Sequence, residues 1–508
     1  MKQLLLTAII GLLLSVTTFA QTKLPAILSD NMCLQHSADV TIWGWDTPGQ
    51  EIKVAPSWNK KGVKTRTNEA GKWTANIATP KAGGPHKIKI SGSQELSINN
   101  VLLGEVWICS GQSNMDRQLG MQRGQKPIVN FWEEAQKANR PTMRLFVVLR
   151  ALADEPQDDL KGKWVECNPE SVLGFSAAGY FFGKKLQEQL QVPMGLIESS
   201  WGGTPVEGWT RKSAMNNDFL VNREREMQEI YLMDSTALSN NQQAFDKGYL
   251  RQAPKSPPSF YYKRVKSHRI GHLYNAMIHP LIHYRIKGAI WYQGESNRNE
   301  PQQYAKQFPN MIQNWRDEWG IGDFPFYFVQ IAPYYYNNQY NIPPIWEAQY
   351  EALNMPNVGM ASTQDIGQIY DIHPPEKEEV GRRLALVALH KTYGQSEIVY
   401  SGPVLTKTTF EGNQVLLEFD PMGGELFSAG SGIGGIRSFY ISGERRIFYP
   451  ANVKQDGNRI ILTTETVDKP IAVRYLWNPN ANASLFNSYG LPAAGFRSDA
   501  WEDAIYED

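Results

Sequence analysis

Between about residues 101 and 395, apolar strand-like runs alternate with amphipathic stretches, and this alternation restricts the possible folds more than any other feature. Strands joined through helices run parallel, and their sheet needs helices over its faces. The candidate strands are 104–109, 143–149, 193–199, 287–292, 325–331 and 357–363. Candidate helices are Phe175–Gln191, Gln302–Trp315, Pro344–Leu353 and Glu376–His390. In the last of these, Val380, Leu384, Val387 and Ala388 recur at helical spacing. A polar stretch at about 211–269, with Pro254, Pro257 and Pro258, reads as a partly helical insertion over one sheet edge.

The flanks follow a different period. Val40–Trp43, Glu51–Val54, Trp73–Ile77 and His86–Ile90 alternate like strands, with turns at Thr47-Pro48-Gly49, Asn68–Gly71 and Gly83-Gly84-Pro85. Residues 21–100 therefore read as an N-terminal β-sandwich. After residue 396 the β pattern returns in Val415–Phe419, Ser438–Ile441 and Arg459–Leu462, a C-terminal β domain over 396–508. At the start, Lys2, the apolar run Leu4–Val16 and the small residues around Ala20 form a secretory signal over 1–20. An exported protein, periplasmic or extracellular, beginning near Gln21 is expected. No other apolar run of about 18 residues exists, so no membrane insertion is expected.

Formal net charge is zero in the 508 residues, which argues against a nucleic-acid partner held by bulk charge. Three cysteines (Cys33, Cys109, Cys167) allow at most one disulfide, and Cys109 reads as a small apolar filler on a strand. The 15 Trp and 23 Tyr suit carbohydrate handling and β-domain cores alike.

Chemistry gathers just after the candidate strands, the edge where open α/β sheets bind ligands. The first motif is Gly111-Gln112-Ser113-Asn114-Met115, which leaves a hydroxyl at a strand tip. The second is Trp201-Gly202-Gly203-Thr204, the third Gln293-Gly294-Glu295-Ser296-Asn297, and the fourth Gln364-Asp365 through Asp371-Ile372-His373-Pro374. Pro374 pushes His373 towards extended geometry, and with Ile372 extended too, Asp371 and His373 project to one side. A carboxylate would then orient an imidazole that takes a proton from Ser113. Oxyanion donors are available from the Ser113 N–H, from Gly202 or Gly203, and from the amide of Gln293 or Asn297. Glu295 reads either as a general base or as a buried carboxylate that ties adjacent loops. Arg117 could meet an acidic sugar or a surface carboxylate; Trp201, Trp209 and Tyr334–Tyr336 could form sugar platforms or core. The pairs His268/His272 and His279/His283 have helical i, i+4 spacing but lack the interior glutamate of zinc proteases, so no metal is expected.

Together the four motifs resemble the SGNH-hydrolase superfamily and, within it, the sialate O-acetylesterase family of carbohydrate esterases. An α/β-hydrolase elbow fits less well, because it wants glycine where Met115 stands. The resemblance implies an SGNH-type α/β catalytic domain over 101–395, with a parallel sheet flanked by helices and accessory β-sandwich regions. It implies a triad of Ser113, His373 and Asp371, with oxyanion donors from Ser113, Gly203 and Gln293, and no cofactor. Asp365 stays open as the acid, because Tyr370 stands where the superfamily's usual acid lies. The implied substrate is an O-acetylated carbohydrate, sialic acid first. Acetylated xylan or another plant polysaccharide is the alternative, and a non-catalytic carbohydrate-binding protein is a further one.

Overall fold

A computed structural model describes residues 21–225, 269–336, 342–428, 438–477, 483–502 and 505–506, with a few positions between 239 and 247. The expected signal at 1–20, most of the expected insertion and His268 lie outside the described residues.

The N-terminal strands are β1 (Asp39–Trp45), β2 (Glu51–Pro56), β3 (Lys72–Ala78) and β4 (Gly83–Ser91). They lead into β5 (Glu95–Gly111), which is 17 residues long. The central strands are β6 (Arg140–Val147), β7 (Trp164–Cys167), β8 (Met194–Ser200), β9 (Gly288–Tyr292), β10 (Phe326–Val329) and β11 (Val358–Ala361). The order across this sheet is β11-β10-β9-β5-β8-β6-β7. All neighbours are parallel except β7, which runs antiparallel to β6. The helices are α1 (Ser113–Asp116), α2 (Phe131–Lys137), α3 (Ala177–Leu190), α4 (Pro301–Trp319), α5 (Ile342–Tyr350) and α6 (Lys377–Lys391).

Alternate residues of β5 serve different layers. Trp107 and Cys109 pack with Phe182 of α3 and Leu384 of α6, while Val106 and Ile108 pack with Phe308 and Trp315 of α4. Burial also pushes the Cys109 thiol upward, consistent with an apolar filler. All three cysteines are free and buried.

One expectation of organisation needs adjustment. The boundary drawn at residue 100 falls inside β5, whose first half pairs with β4 and whose second half pairs with β8 and β9. The switch from alternating to continuous apolar burial along this one strand looks like a domain boundary in sequence. Physically it marks where the strand passes from a half-exposed sheet into one covered on both faces. The β1–β3 pair covers the N-terminal sheet, with Ile42 and Trp73 joining Ile52, Val54, Ile88 and Ile90 in one core.

The C-terminal region builds its own core around Val415, Leu417, Phe439, Ile460 and Val473. Its largest sheets have four and five strands. It docks through Arg497, which donates to Glu347 of α5, and through Gly495, whose N–H donates to Gln364. Among the described residues no helix is long and apolar enough to cross a membrane.

Candidate active site

The chain leaves β5, crosses to β6 and β7, returns to β8 on one side of β5, and later adds β9 on the other. The tip of β5 is therefore a topological switch point, where loops from both neighbours diverge and leave a crevice. Gly111 closes the strand at φ +139°, and a Cβ there would stand 2.2 Å from the Tyr292 carbonyl oxygen. Only glycine permits that approach. The Gln112 N–H donates to the Tyr292 carbonyl (2.9 Å) and the Trp201 N–H to the Gly111 carbonyl (3.1 Å), so both flanking loops are pinned to the serine turn.

Ser113 opens the single turn of α1, and its Oγ lies 2.8 Å from His373 Nε2. These atoms come from residues 260 apart in sequence. The second motif also closes on the serine: a Cβ on Gly202 would stand 3.2 Å from Ser113 Cβ, and Gly203 turns the chain away at φ +74°. Burial, then the nearby Lys377 charge, hold His373 below its ordinary value, while Asp371 opposes them. The imidazole is thus biased towards the neutral form that can accept a proton.

The two aspartates have different surroundings. Asp371 Oδ1 accepts the main-chain N–H of His373 at 3.0 Å, and Oδ2 faces Lys126 Nζ at 3.4 Å. The extended geometry expected across Ile372 is replaced by a turn closed by that Asp371–His373 bond, and the Asp371 N–H closes the preceding turn on the Gln368 carbonyl at 2.8 Å. An aspartate whose carboxylate captures the N–H two residues on favours that turn over a strand. Asp365 instead accepts two hydrogen bonds from Arg383 of α6, each 2.6 Å, and faces that helix.

Three further expectations change once burial is counted. Gln293 is fully buried; its Nε2 donates to the Thr204 carbonyl (3.2 Å) and to Asn297 Oδ1 (2.7 Å). Both amide hydrogens are committed, so Gln293 braces the second and third loops rather than offering a donor to Ser113. Asn297 is tied similarly, donating to Glu207 and accepting the Val206 N–H. Arg117, expected to meet a sugar or the surface, is fully buried and donates to Gln122 Oε1 and the Lys126 carbonyl. It shapes the loop that carries Lys126 to Asp371.

Trp209 is a core residue, edge-on to Trp291 with its Nε1 donating to Thr204. Trp201 is half-buried near the serine, with the Arg150 guanidinium 5.9 Å from its ring. His279 Nδ1 meets the Gln157 carbonyl, and His283 packs edge-on against Trp43.

Sequence reasoning missed two buried residues, Asn114 and Lys377. Lys377 Nζ donates to Asn114 Oδ1, and Asn114 Nδ2 donates to Glu295 Oε1, each at 2.7 Å. Burial pushes Lys377 down to about 7 and Glu295 upward. Glu295 does tie loops, through a side-chain amide. The available signal was a lysine in a helix's first turn, the end whose dipole disfavours a cation. Tyr370 was also passed over: it is 80% exposed beside Asp371, with its ring 6.2 Å from that of Tyr335.

Residues 103–237 and 261–390 match the family described as carbohydrate esterase, sialic acid-specific acetylesterase. Sialate O-acetylesterase of Rattus norvegicus is 31% identical over 427 residues, covering 76% of each chain. The Homo sapiens sialate O-acetylesterase is 28% identical over 454 residues, covering 80% of this chain and 79% of the relative. A crystal structure of a carbohydrate acetylesterase from Xanthomonas citri superposes with a TM-score of 0.80 at 32% identity, covering 95% of this chain and 100% of the other. With the family match spanning more than half its length and these relatives most of it, the chain belongs to the sialic acid-specific acetylesterases, a family of carbohydrate esterases.

Proposed function

We propose that this chain is a serine esterase that releases acetate from an O-acetylated sugar, with sialic acid as the preferred carrier. The single observation carrying the mechanism is the 2.8 Å contact between Ser113 Oγ and His373 Nε2. His373 takes the hydroxyl proton as Ser113 Oγ attacks the acetyl carbonyl carbon. The carbonyl oxygen becomes an oxyanion, stabilised by main-chain N–H groups at Ser113 and Gly203. The tetrahedral intermediate collapses, the C–O bond to the sugar breaks, and His373 returns its proton to the departing sugar oxygen. Water, deprotonated by the same imidazole, then cleaves the acetyl-serine ester and frees acetate. Asp371 supplies the negative charge that favours the transient imidazolium. No cofactor enters this scheme.

The sialate preference draws on the family and the curated relatives. Exposed Tyr370 beside Asp371, and half-buried Trp201 beside Gly202, supply aromatic surface at the rim for a sugar ring. Export, expected from the leader-like residues 1–20, would bring the enzyme to such glycans outside the cytoplasm.

The test compares aryl-acetate hydrolysis by the wild type and by Ser113→Ala, then acetate release from O-acetylated sialic acid and from acetylxylan. Turnover should fall by about 10⁶-fold in the variant, and the sialate should be the faster substrate. Equal aryl-acetate rates for both proteins would remove the serine mechanism; faster release from acetylxylan would reassign the substrate.

A further inference from the structure

Behind the Ser113–His373 contact lies a closed group of buried polar side chains that the proton transfers do not use. Asn114, Lys377 and Glu295 are 0%, 0% and 3% exposed, and come from α1, α6 and the loop after β9. Lys377 Nζ donates to Asn114 Oδ1 (2.7 Å) and to the Pro374 carbonyl (2.8 Å). Asn114 Nδ2 donates to Glu295 Oε1 (2.7 Å) and to the Ile372 carbonyl (2.9 Å). The carbonyls immediately before and after His373 are therefore both held, and one of their holders is covalently next to Ser113.

This arrangement is unfavourable on local grounds. A lysine in the first turn opposes the helix dipole, and removing an ammonium from water is costly unless every donor is used. A methionine would fill the same space without either penalty. Violations of local preference of this kind concentrate at functional sites. Lys377 Nζ also stands 5.2 Å from the Tyr292 ring centre, so the cation is enclosed on that side as well.

We infer that Lys377 is a positioning residue for the esterase reaction: through Asn114 and the Pro374 carbonyl it locks the imidazole loop onto the serine turn. The inference rests on the reading of Ser113 and His373 given above. Charges facing the imidazole are Lys377 from α6, Arg117 from the end of α1, and Asp371 from its own loop; the first two oppose its protonation and the third favours it. Lys377 itself is faced by Glu295, Asp371 and Glu376, with Arg117 opposing them.

The experiment measures kcat and KM for aryl acetate across pH in the wild type, Lys377→Met, Lys377→Gln and Asn114→Ala, with Ser113→Ala as control. Lys377→Met should lower kcat by about 10²-fold through misplacement of the imidazole, with KM nearly unchanged. The acidic limb of kcat/KM should move to higher pH, because the charge opposing His373 protonation is gone. Lys377→Gln, which keeps a donor without the charge, should recover part of kcat with the limb still displaced. Wild-type kcat and an unmoved limb in either variant would overturn the inference. Should Lys377→Met fail to fold, Asn114→Ala decides: a fall in kcat at constant KM supports the clamp, and wild-type kcat removes it. Full activity in Ser113→Ala defeats the serine reading itself. Loss of activity there alongside unaltered Lys377 variants defeats only the positioning role.

Discussion

At the scale of single residues, the imidazole has two possible acidic companions, and their bonding separates them. Asp365 is consumed by Arg383, which is 3% exposed and also pairs with Glu379, whereas Asp371 lies in the loop of His373 and acts on the ring by its charge. Asp371→Ala is expected to lower kcat by about 10²–10⁴-fold with little change in melting temperature. Asp365→Ala should instead reduce stability by about 3 kcal/mol, the low end for a broken buried pair because Glu379 still faces Arg383. Its folded fraction should turn over normally; parallel kinetics and chemical denaturation of both variants check the assignment, and the opposite pattern would reverse it. The nearness of Ser113 to His373 was legible in sequence because both motifs follow strands of one parallel sheet, although the backbone geometry inferred from Pro374 was not the one adopted. The roles of Gln293, Arg117 and Lys377 were not legible, since a polar side chain's partners are set by tertiary burial, which sequence spacing does not encode. Gln293 and Arg117 spend their donors on neighbouring loops, and Lys377 hides a charge that a helix terminus normally shows to water.

At the scale of elements, β8 and α3 are joined by one buried carboxylate. Glu198 accepts the Ser176 N–H just before α3 (2.9 Å) and the Ser200 hydroxyl (2.9 Å) at the end of β8. Burial, reinforced by neighbouring Asp116, raises it from 4.5 to about 8. The protonated form is thus favoured by folding, so its contribution is fully present below pH 4.5 and is lost as pH rises through about 8. Glu198→Gln cannot ionise, and its melting temperature should fall less between pH 5 and pH 8.5 than that of the wild type. Matching pH profiles in a thermal melt would show that Glu198 does not titrate in this window. The helices α3, α4, α5 and α6 and the parallel central strands stand close to their expected positions, because amphipathic spacing and continuous apolar runs report burial directly; the short antiparallel edge strand β7 was not expected. The turn at Asp371–His373 departed from expectation for the opposite reason: a side chain there competes for the backbone N–H, and apolar pattern carries no trace of that contest.

At the scale of the whole molecule, the C-terminal region supports the fourth motif from outside. Gln364 Oε1 accepts the Gly495 N–H (3.0 Å), and the Tyr350 hydroxyl donates to the Gly495 carbonyl (3.0 Å). Deleting residues 396–508 should leave the circular-dichroism signature of the α/β body but sharply lower kcat, because the loop from Gln364 to His373 loses its backing. Undiminished kcat in the truncated chain would show that the loop stands alone. The terminal β regions were legible as β, but not how they attach: Gly495 and Gln364 are 131 residues apart. At the other end the attachment is covalent. β5 begins against the first sheet and finishes at the serine turn, with Asn100 at φ +55° and irregular register against β4 marking the passage from one sheet region to the other. Strain placed on that first sheet would therefore reach Ser113 along hydrogen-bonded main chain rather than dissipate in a free linker.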